Sequence, residues 1–356
     1  MMADSQRGVL STLQEIIKKP YSWGIVAIIA LLCINVLQDP GYLAISVNQV
    51  NGNLVGNVLD ILRAAAPILM IAVGMCLVIA TSGIDLSVGS VMAVGGAVSM
   101  EVLRGIGQTD SMGAALAALG LAIGLSALLG MANGFLVAVV RLQPFITTLI
   151  MMMAGRGIAR VITGGQNTAA SNDQFRWIAN GYVFGLPVIV IIAFAIVILV
   201  ALIVRKTALG LMIEAIGINE TASRMAGIKP RGLLITVYAI SGALAGMGGV
   251  FATATVMTVD VSRTGYLLEL DAILAVVIGG TALAGGKFSL GGAVVGALLI
   301  ATLDKTVVFL GIPSSATPAF KAAIIIIICL AQSTRVREYF AARRRPVPTR
   351  AKERAA

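Results

Sequence analysis

"PVIVIIAFAIVILVALIV", Pro187 to Val204, holds no charged residue and is followed at once by Arg205 and Lys206. A bilayer core takes about 20 consecutive apolar residues in a helix. A membrane β-strand alternates apolar and polar positions, so an unbroken run of this length points to a spanning helix. The basic pair that ends it marks the cytoplasmic side, where Lys and Arg of membrane helices are retained. Outward from this run the whole chain has the same character, with 58% hydrophobic and only 12% charged residues and a mean hydropathy of +0.97. Soluble domains carry about a quarter charged residues. The chain therefore reads as an all-α integral membrane protein.

Further runs such as "WGIVAIIALLCINVL" (Trp23 to Leu37) and "AFKAAIIIIICLA" (Ala319 to Ala331) extend the pattern. Helices are expected near 21–38, 57–81, 88–103, 113–140, 144–162, 186–204, 232–257, 267–284, 289–310 and 318–333. Residues 1–20 then form a cytoplasmic N-terminal segment, 21–333 the transmembrane domain and 334–356 a basic cytoplasmic tail. About ten crossings place both termini, with Arg141, Arg205, Lys229, Arg231 and Lys287, on the inner side, as the charge rule requires. The first residues lack the apolar core of a cleavable signal, so the first helix is expected to be retained. Outer loops fall at Asp39–Gly56, Arg104–Met112, Thr163–Gly185, Thr258–Tyr266 and Gly311–Thr317, with Trp177, Tyr182 and Phe184 at interfacial depth. They either anchor helix ends in water or form a rim for an external partner.

Forty glycines let helix backbones approach closely and also permit broken helices facing a cavity. "SGIDLSVGS" (Ser82 to Ser90) and "GGKFSLGGAV" (Gly285 to Val294) echo one another, each placing a Ser at the mouth of a helix.

Several chemistries are excluded. The formal charge of +10 is gathered at helix ends and in the tail, which reports topology and not nucleic-acid binding. Cys33, Cys76 and Cys329 lie in apolar segments at no metal-like spacing, so neither a disulfide framework nor a metal site is expected. With no histidine, hydrolase chemistry assisted by an imidazole base is ruled out, and no catalytic constellation is present. "TALAGGKF" (Thr281 to Phe288) fails as a phosphate loop, because Thr281 replaces the first Gly and Phe288 the final Ser or Thr. ATP and Mg, if used, belong on another chain, and this one carries no cofactor of its own.

The polar stretch "EAIGINETASRMAGIKP" (Glu214 to Pro230) interrupts two apolar runs. Asn219 is a favoured N-cap, Gly227 a favoured stop and Pro230 prevents continuation. They bracket a helix over 220–226, roughly 10 Å long, when isolated helices need about 12–15 residues to persist in water. Ile218, Ala222 and Met225 share one stripe, and Glu220 and Arg224 pair on another. The small residues Gly217, Ala222, Ala226 and Gly227 suit docking into a groove of a cytoplasmic partner. A lipid-surface helix would need a basic face opposite aromatic or Leu residues.

Within the apolar segments, Asp85 stands out, since a buried acid costs about 2.5–3.5 kcal/mol on insertion scales. It either caps the next helix or neutralises a base, or it shapes a solute path together with Ser87. Glu269 and Asp271 are first-turn acids that favour a helix dipole or serve a path or partner. Asn133, Gln143, Thr147 and Thr148 offer neutral hydrogen bonds, either to a solute or between helices. Arg156 is expected to be paired or snorkelling.

"EAIGINETASRMAGI", "GMCLVIATSGIDLSVGS" (74–90), "MANGFLVAVVRLQPFITTLIMMMAGRG" (131–157), "RKTALG" (205–210) and "ELDAILAVVIGGTALAGGKFSLGGAVVGAL" (269–298) together resemble the membrane subunits of bacterial ABC sugar importers of the ribose, xylose and galactose permease family. "NVLDILRAAAP", "LIMMMAGRG" and "ELDAILAVVIGG" look most like its galactofuranose-type members. The resemblance covers nearly the whole chain, with one departure: the usual Gly-Gly-Arg is Gly285-Gly286-Lys287, which loses a bidentate contact. It implies an inner-membrane permease that passes a monosaccharide, a furanose such as galactofuranose fitting best. A periplasmic binding protein would deliver the sugar, and a second, distinct permease would pair with this chain. Cytoplasmic ATPase subunits would dock on Glu214, Gly217, Asn219, Glu220, Ala222, Arg224, Met225 and Gly227. In such a permease, Asp85, Ser87, Asn133, Gln143, Thr148, Glu269 and Asp271 are the candidates for the path, each with the structural alternative given above. The rival reading, an ion-coupled secondary transporter, calls for more intramembrane acids or histidines than this chain holds.

Overall fold

A computed structural model of the chain describes residues 21–49, 52–313 and 315–332. The expected cytoplasmic segment 1–20 and basic tail 334–356 lie outside the described residues. Helices account for most of the fold: α1 (Ser22–Gln38), α2 (Asn57–Ala80), α3 (Val88–Ile106), α4 (Met112–Ala138), α5 (Pro144–Ile162), α6 (Asp173–Asn180), α7 (Val188–Lys206), α8 (Ala208–Ile218), α9 (Glu220–Met225), α10 (Pro230–Val256), α11 (Leu268–Ile278), α12 (Leu290–Phe309) and α13 (Thr317–Gln332). Six of these, α2, α4, α5, α7, α10 and α12, are long and apolar enough to cross a membrane. The β-structure among the described residues consists of three antiparallel pairs of two-residue strands: Ser46–Val47 with Leu54–Val55, Thr168–Ala169 with Thr258–Val259, and Tyr182–Val183 with Leu186–Pro187.

Each expected helix is present, and most ends fall within two or three residues of the expected ones. The exception is the eighth, expected over 267–284, which is α11 and has only 11 residues. At about 1.5 Å per residue it spans roughly half of a 30 Å hydrocarbon core. Two features confine it. Leu267 at its head is left-handed, with φ +60°, and Gly280 just past its end has φ +89°. The chain then loops through Gly285 and Gly286 until Ser289 caps α12 by accepting a bond from Gly292 N at 3.0 Å.

The core forms around α10 and α2. From Leu69 to Ala80 every residue of α2 is buried, so its sequence reads apolar on all sides. Glycines set the spacing of α10 against its neighbours. A Cβ on Gly130 of α4 would strike Tyr238 O and stand 3.0 Å from Gly242 Cα, and one on Gly249 would strike Met92 O of α3. Close backbone approach of this kind is how membrane helices gain dispersion contacts without a hydrophobic drive. The opposite faces of α4 and α5 are open and apolar, with Leu116, Leu121, Leu128, Ile146, Ile150 and Met153 exposed.

Loops assigned to one side by the charge rule do meet one another. Asn172 donates to Gln108 O and Ser111 O at 3.0 and 3.1 Å, and Leu54 N donates to Gly185 O at 3.0 Å. On the opposite side, Gly286 N donates to Ala80 O at 2.9 Å.

Candidate functional site

At one end of the bundle, α8 leads into Asn219, whose side-chain oxygen accepts from Ala222 N at 2.9 Å and starts α9. The helix ends where Ile228 N returns to Ser223 O at 3.1 Å and Gly227 adopts φ +87°. The cap and stop signals thus act as the sequence indicates, and α9 runs for six residues against an expected seven. Glu220 and Arg224 approach to 3.9 Å with both side chains about half exposed, a pair worth no more than about 0.5 kcal/mol. Ile218 and Met225 are 74% and 86% exposed. The apolar side chains at the end of α8 and the end of α9 are therefore bare. Glu214 lies apart from it on α8, in a cleft of about 310 Å³ also lined by Arg205 and Ser289.

Gly217 anchors this segment to the rest of the fold. A Cβ there would strike Ala80 O and Gly286 N, so the end of α2, the root of α9 and the loop after α11 converge backbone to backbone. Ser82 Oγ sits at the same junction, 2.8 Å from Gly217 O and 2.9 Å from Ala284 O. A Cβ on Gly285 would strike Ser82 Oγ, so the two echoed stretches of the sequence touch. Between α9 and the α4–α5 turn opens a cavity of about 590 Å³, lined among others by Arg141, Gln143, Asn219, Glu220, Thr221 and Tyr238.

Beyond the cavity lies a buried polar cluster. Asp85 is 1% exposed. Its Oδ1 accepts from Ser87 N at 3.0 Å and Ser87 Oγ at 2.6 Å, and its Oδ2 accepts from Ser241 Oγ at 3.2 Å. Asn133 Nδ2 donates to Ser87 Oγ at 2.8 Å, so α3, α4 and α10 are tied through one carboxylate. Among the described residues no Lys or Arg forms an ion pair with Asp85, so it does not neutralise a base. It shapes the turn into α3, whose N-cap residue Ser87 makes no side-chain cap of its own. Tyr238, fully buried, has a hydroxyl with no partner among the described residues, and Asn133 Oδ1 is likewise unpaired. That hydroxyl lies at the cavity wall, 2.7 Å from where a Cβ on Gly83 would stand.

The remaining candidates sit elsewhere. Thr148 Oγ1 donates to Pro144 O at 2.9 Å or Ile84 O at 3.0 Å, on the shoulder of the cluster. Thr147 bonds back to Gln143 O at 3.1 Å, and Gln143 itself is exposed at the cavity rim. Glu269 and Asp271 occupy the first turn of α11, both 8% exposed, behind an N-cap residue, Leu267, that makes no side-chain cap. Asp271 instead bonds Lys321 Nζ at 2.9 Å, and Asp304 meets the same ammonium at 2.8 Å. Glu269 Oε2 has no partner among the described residues. Arg156 is paired, its Nη1 donating to Val261 O at 3.1 Å and Thr264 O at 2.6 Å.

Sequence reasoning missed Tyr238, Ser241, Asp304 and Lys321. A lone Lys within an apolar run and an acid at Asp304 were the available signal, since ionisable groups in membrane helices are placed to pair or function.

The family model described as branched-chain amino acid transport system / permease component matches residues 57–329. The fructose import permease protein of Bifidobacterium longum (strain NCC 2705) is 53% identical over 328 residues, covering 91% of this chain and 90% of that protein. The galactofuranose transporter permease protein of Escherichia coli (strain K12) is 41% identical over 312 residues, with 87% and 89% covered. The ribose import permease protein of the same strain is 37% identical over 311 residues, with 86% and 91% covered. No solved structure matches the chain. The matched span contains the Gly217 junction, the polar cluster and the α11 acids.

Proposed function

The chain belongs to the branched-chain amino acid transport system / permease component family and is a permease subunit of an ABC importer, and we propose that it passes a monosaccharide across a bacterial inner membrane with both termini cytoplasmic. The sugars named for the three relatives, fructose, galactofuranose and ribose, can all close a five-membered ring. A furanose is the substrate class this favours. Sugars are neutral, so a path of hydroxyls, amides and small residues suits them better than a ring of like charges. Asp85, Ser87, Asn133, Gln143, Thr148, Glu269 and Asp271 are assigned to that path, and Tyr238 joins them through its unpaired hydroxyl at the cavity wall. Weak contacts here let the sugar leave, while a periplasmic binding protein supplies affinity.

ATP hydrolysis is assigned to separate subunits that dock on the segment around α9. The observation that carries this is the bare apolar pair Ile218, at the end of α8, and Met225, at the end of the six-residue helix α9, a helix too short to hold itself in water yet capped at both ends. Closure of the motor would move α9, and with it the helices on either side, to switch access. A second permease subunit, distinct from this chain, completes the path against the open faces of α4 and α5. The test is co-purification of an ATPase subunit with the chain and with Gly227→Trp. Nothing lies within 4 Å of where a Cβ on Gly227 would stand, so the indole meets no neighbour in the fold, and the cost to the fold is the strain of a side chain at φ +87° alone. The expected outcome is loss of the ATPase subunit with the chain still inserted and monodisperse. Full retention with normal sugar-stimulated hydrolysis would overturn the docking assignment.

A further inference from the structure

Ser82 stands two residues past the end of α2 at φ +62°, a conformation that residues other than Gly or Asn seldom take. Glycine would fit this backbone without strain. What serine adds is its hydroxyl, and that hydroxyl lies 2.8 Å from Gly217 O and 2.9 Å from Ala284 O. A serine hydroxyl carries one hydrogen, so two carbonyls on two different segments compete for a single proton. One belongs to the root of α9 and the other to the loop after α11.

The surrounding packing leaves little slack for either segment. A Cβ on Gly285 would strike Ser82 Oγ, and one on Gly217 would strike Ala80 O. Both carbonyls lie within bonding distance of the one oxygen, so the hydroxyl hydrogen can turn to either. Three residues along the chain is Asp85, whose carboxylate gathers Ser87 and Ser241 and thereby α3 and α10. One residue along is Gly83, against which the Tyr238 hydroxyl lies.

We propose that Ser82 is the positioning residue that links α9 to the buried cluster, its hydroxyl passing between Gly217 O and Ala284 O as α9 is displaced. Each hydrogen-bonding state holds the Gly83–Asp85 turn at a different angle to α10, which gives the path two discrete arrangements. This rests on the reading that α9 is driven by an ATPase subunit.

The test uses the whole reconstituted complex with its ATPase subunits, partner permease and binding protein, and reads sugar moved per ATP hydrolysed together with the apparent Tm. Ser82→Gly removes the hydroxyl and relieves the backbone, so Tm is expected to hold or rise. Sugar moved per ATP is expected to fall about two- to tenfold, the range that one net hydrogen bond spans. Ser82→Asn, which tolerates positive φ and carries N–H donors, is expected to restore part of the loss. Unchanged stoichiometry in Ser82→Gly overturns the proposal. So does a parallel fall of Tm, hydrolysis and transport, which would make the hydroxyl a fold contact only. A wild-type complex that moves no sugar overturns the permease reading and this proposal with it, whereas failure confined to the variants overturns this proposal alone.

Discussion

Replacing Gly217 with alanine sets two physical effects against each other at the root of α9. Gly217 is the penultimate residue of α8, and alanine is favoured over glycine inside a helix by about 1 kcal/mol. Propensity alone therefore predicts a gain. Packing predicts the reverse, because the new methyl would strike Ala80 O and Gly286 N, and both of these are backbone atoms that no rotamer change can move aside. Forcing a methyl into so tight a contact costs about 1–3 kcal/mol, so the net change is destabilising by up to about 2 kcal/mol. Gly232 is the internal control: it lies in the first turns of α10 with nothing within 4 Å of its Cβ position. Gly232→Ala is expected to stabilise by about 0.4–1 kcal/mol. Apparent Tm of the purified chain in detergent, followed by sugar-stimulated ATP hydrolysis in the assembled complex, reads both. Gly217→Ala should melt earlier than wild type and lose stimulated hydrolysis, while Gly232→Ala melts later and keeps it. Equal gains in Tm for both variants would refute the three-way backbone junction.

The buried cluster and the α11 acids give two further predictions. Asp85→Asn keeps an acceptor toward Ser87 and presents a donor to Ser241, whose hydroxyl can turn to accept; the fold is expected to survive with sugar transport reduced. Asp85→Leu leaves Ser87 N–H without its acceptor and should cost a further 1–3 kcal/mol or about that, so wild-type Tm in this variant would count against the hydrogen-bond scheme. Lys321→Met strands Asp271 and Asp304 without their shared cation, at a cost of about 3–5 kcal/mol for a buried pair, nearer the low end because Asp304 is 34% exposed. Adding Asp271→Asn and Asp304→Asn to Lys321→Met should recover most of that loss, and a single variant as stable as wild type would show that the ammonium does not hold α13.

What the sequence revealed and what it hid divide by distance along the chain. The cap at Asn219, the stop at Gly227 and the Pro230 that opens α10 act within one turn of their own positions, so α9 was legible within a residue. Helix ends set by loops with Gly and by basic residues were legible for the same reason. The eighth expected span was misjudged because 272–284 carries no charged residue, and only tertiary contact shows that the chain leaves the helix at Gly279. There Thr281 Oγ1 accepts from Ser289 N at 3.1 Å. Asp85 was conspicuous as an acid in an apolar setting, but its partner Ser241, and the Asn133 that bonds its other partner Ser87, lie on other helices. Lys321 and Asp271 are 50 positions apart, and no periodicity within either helix announces their pairing. Gly217 reads as a small residue of a docking face, and neither it nor Ser82 announces the junction of three backbones that meets around them.

Sugar uptake into proteoliposomes tests the central claim most directly, measured with this chain alone and with the chain assembled with its ATPase subunits, partner permease and binding protein. The account predicts uptake only in the full assembly, dependent on ATP and indifferent to an imposed ion gradient. Uptake by the chain alone, driven by an ion gradient without nucleotide, would contradict it.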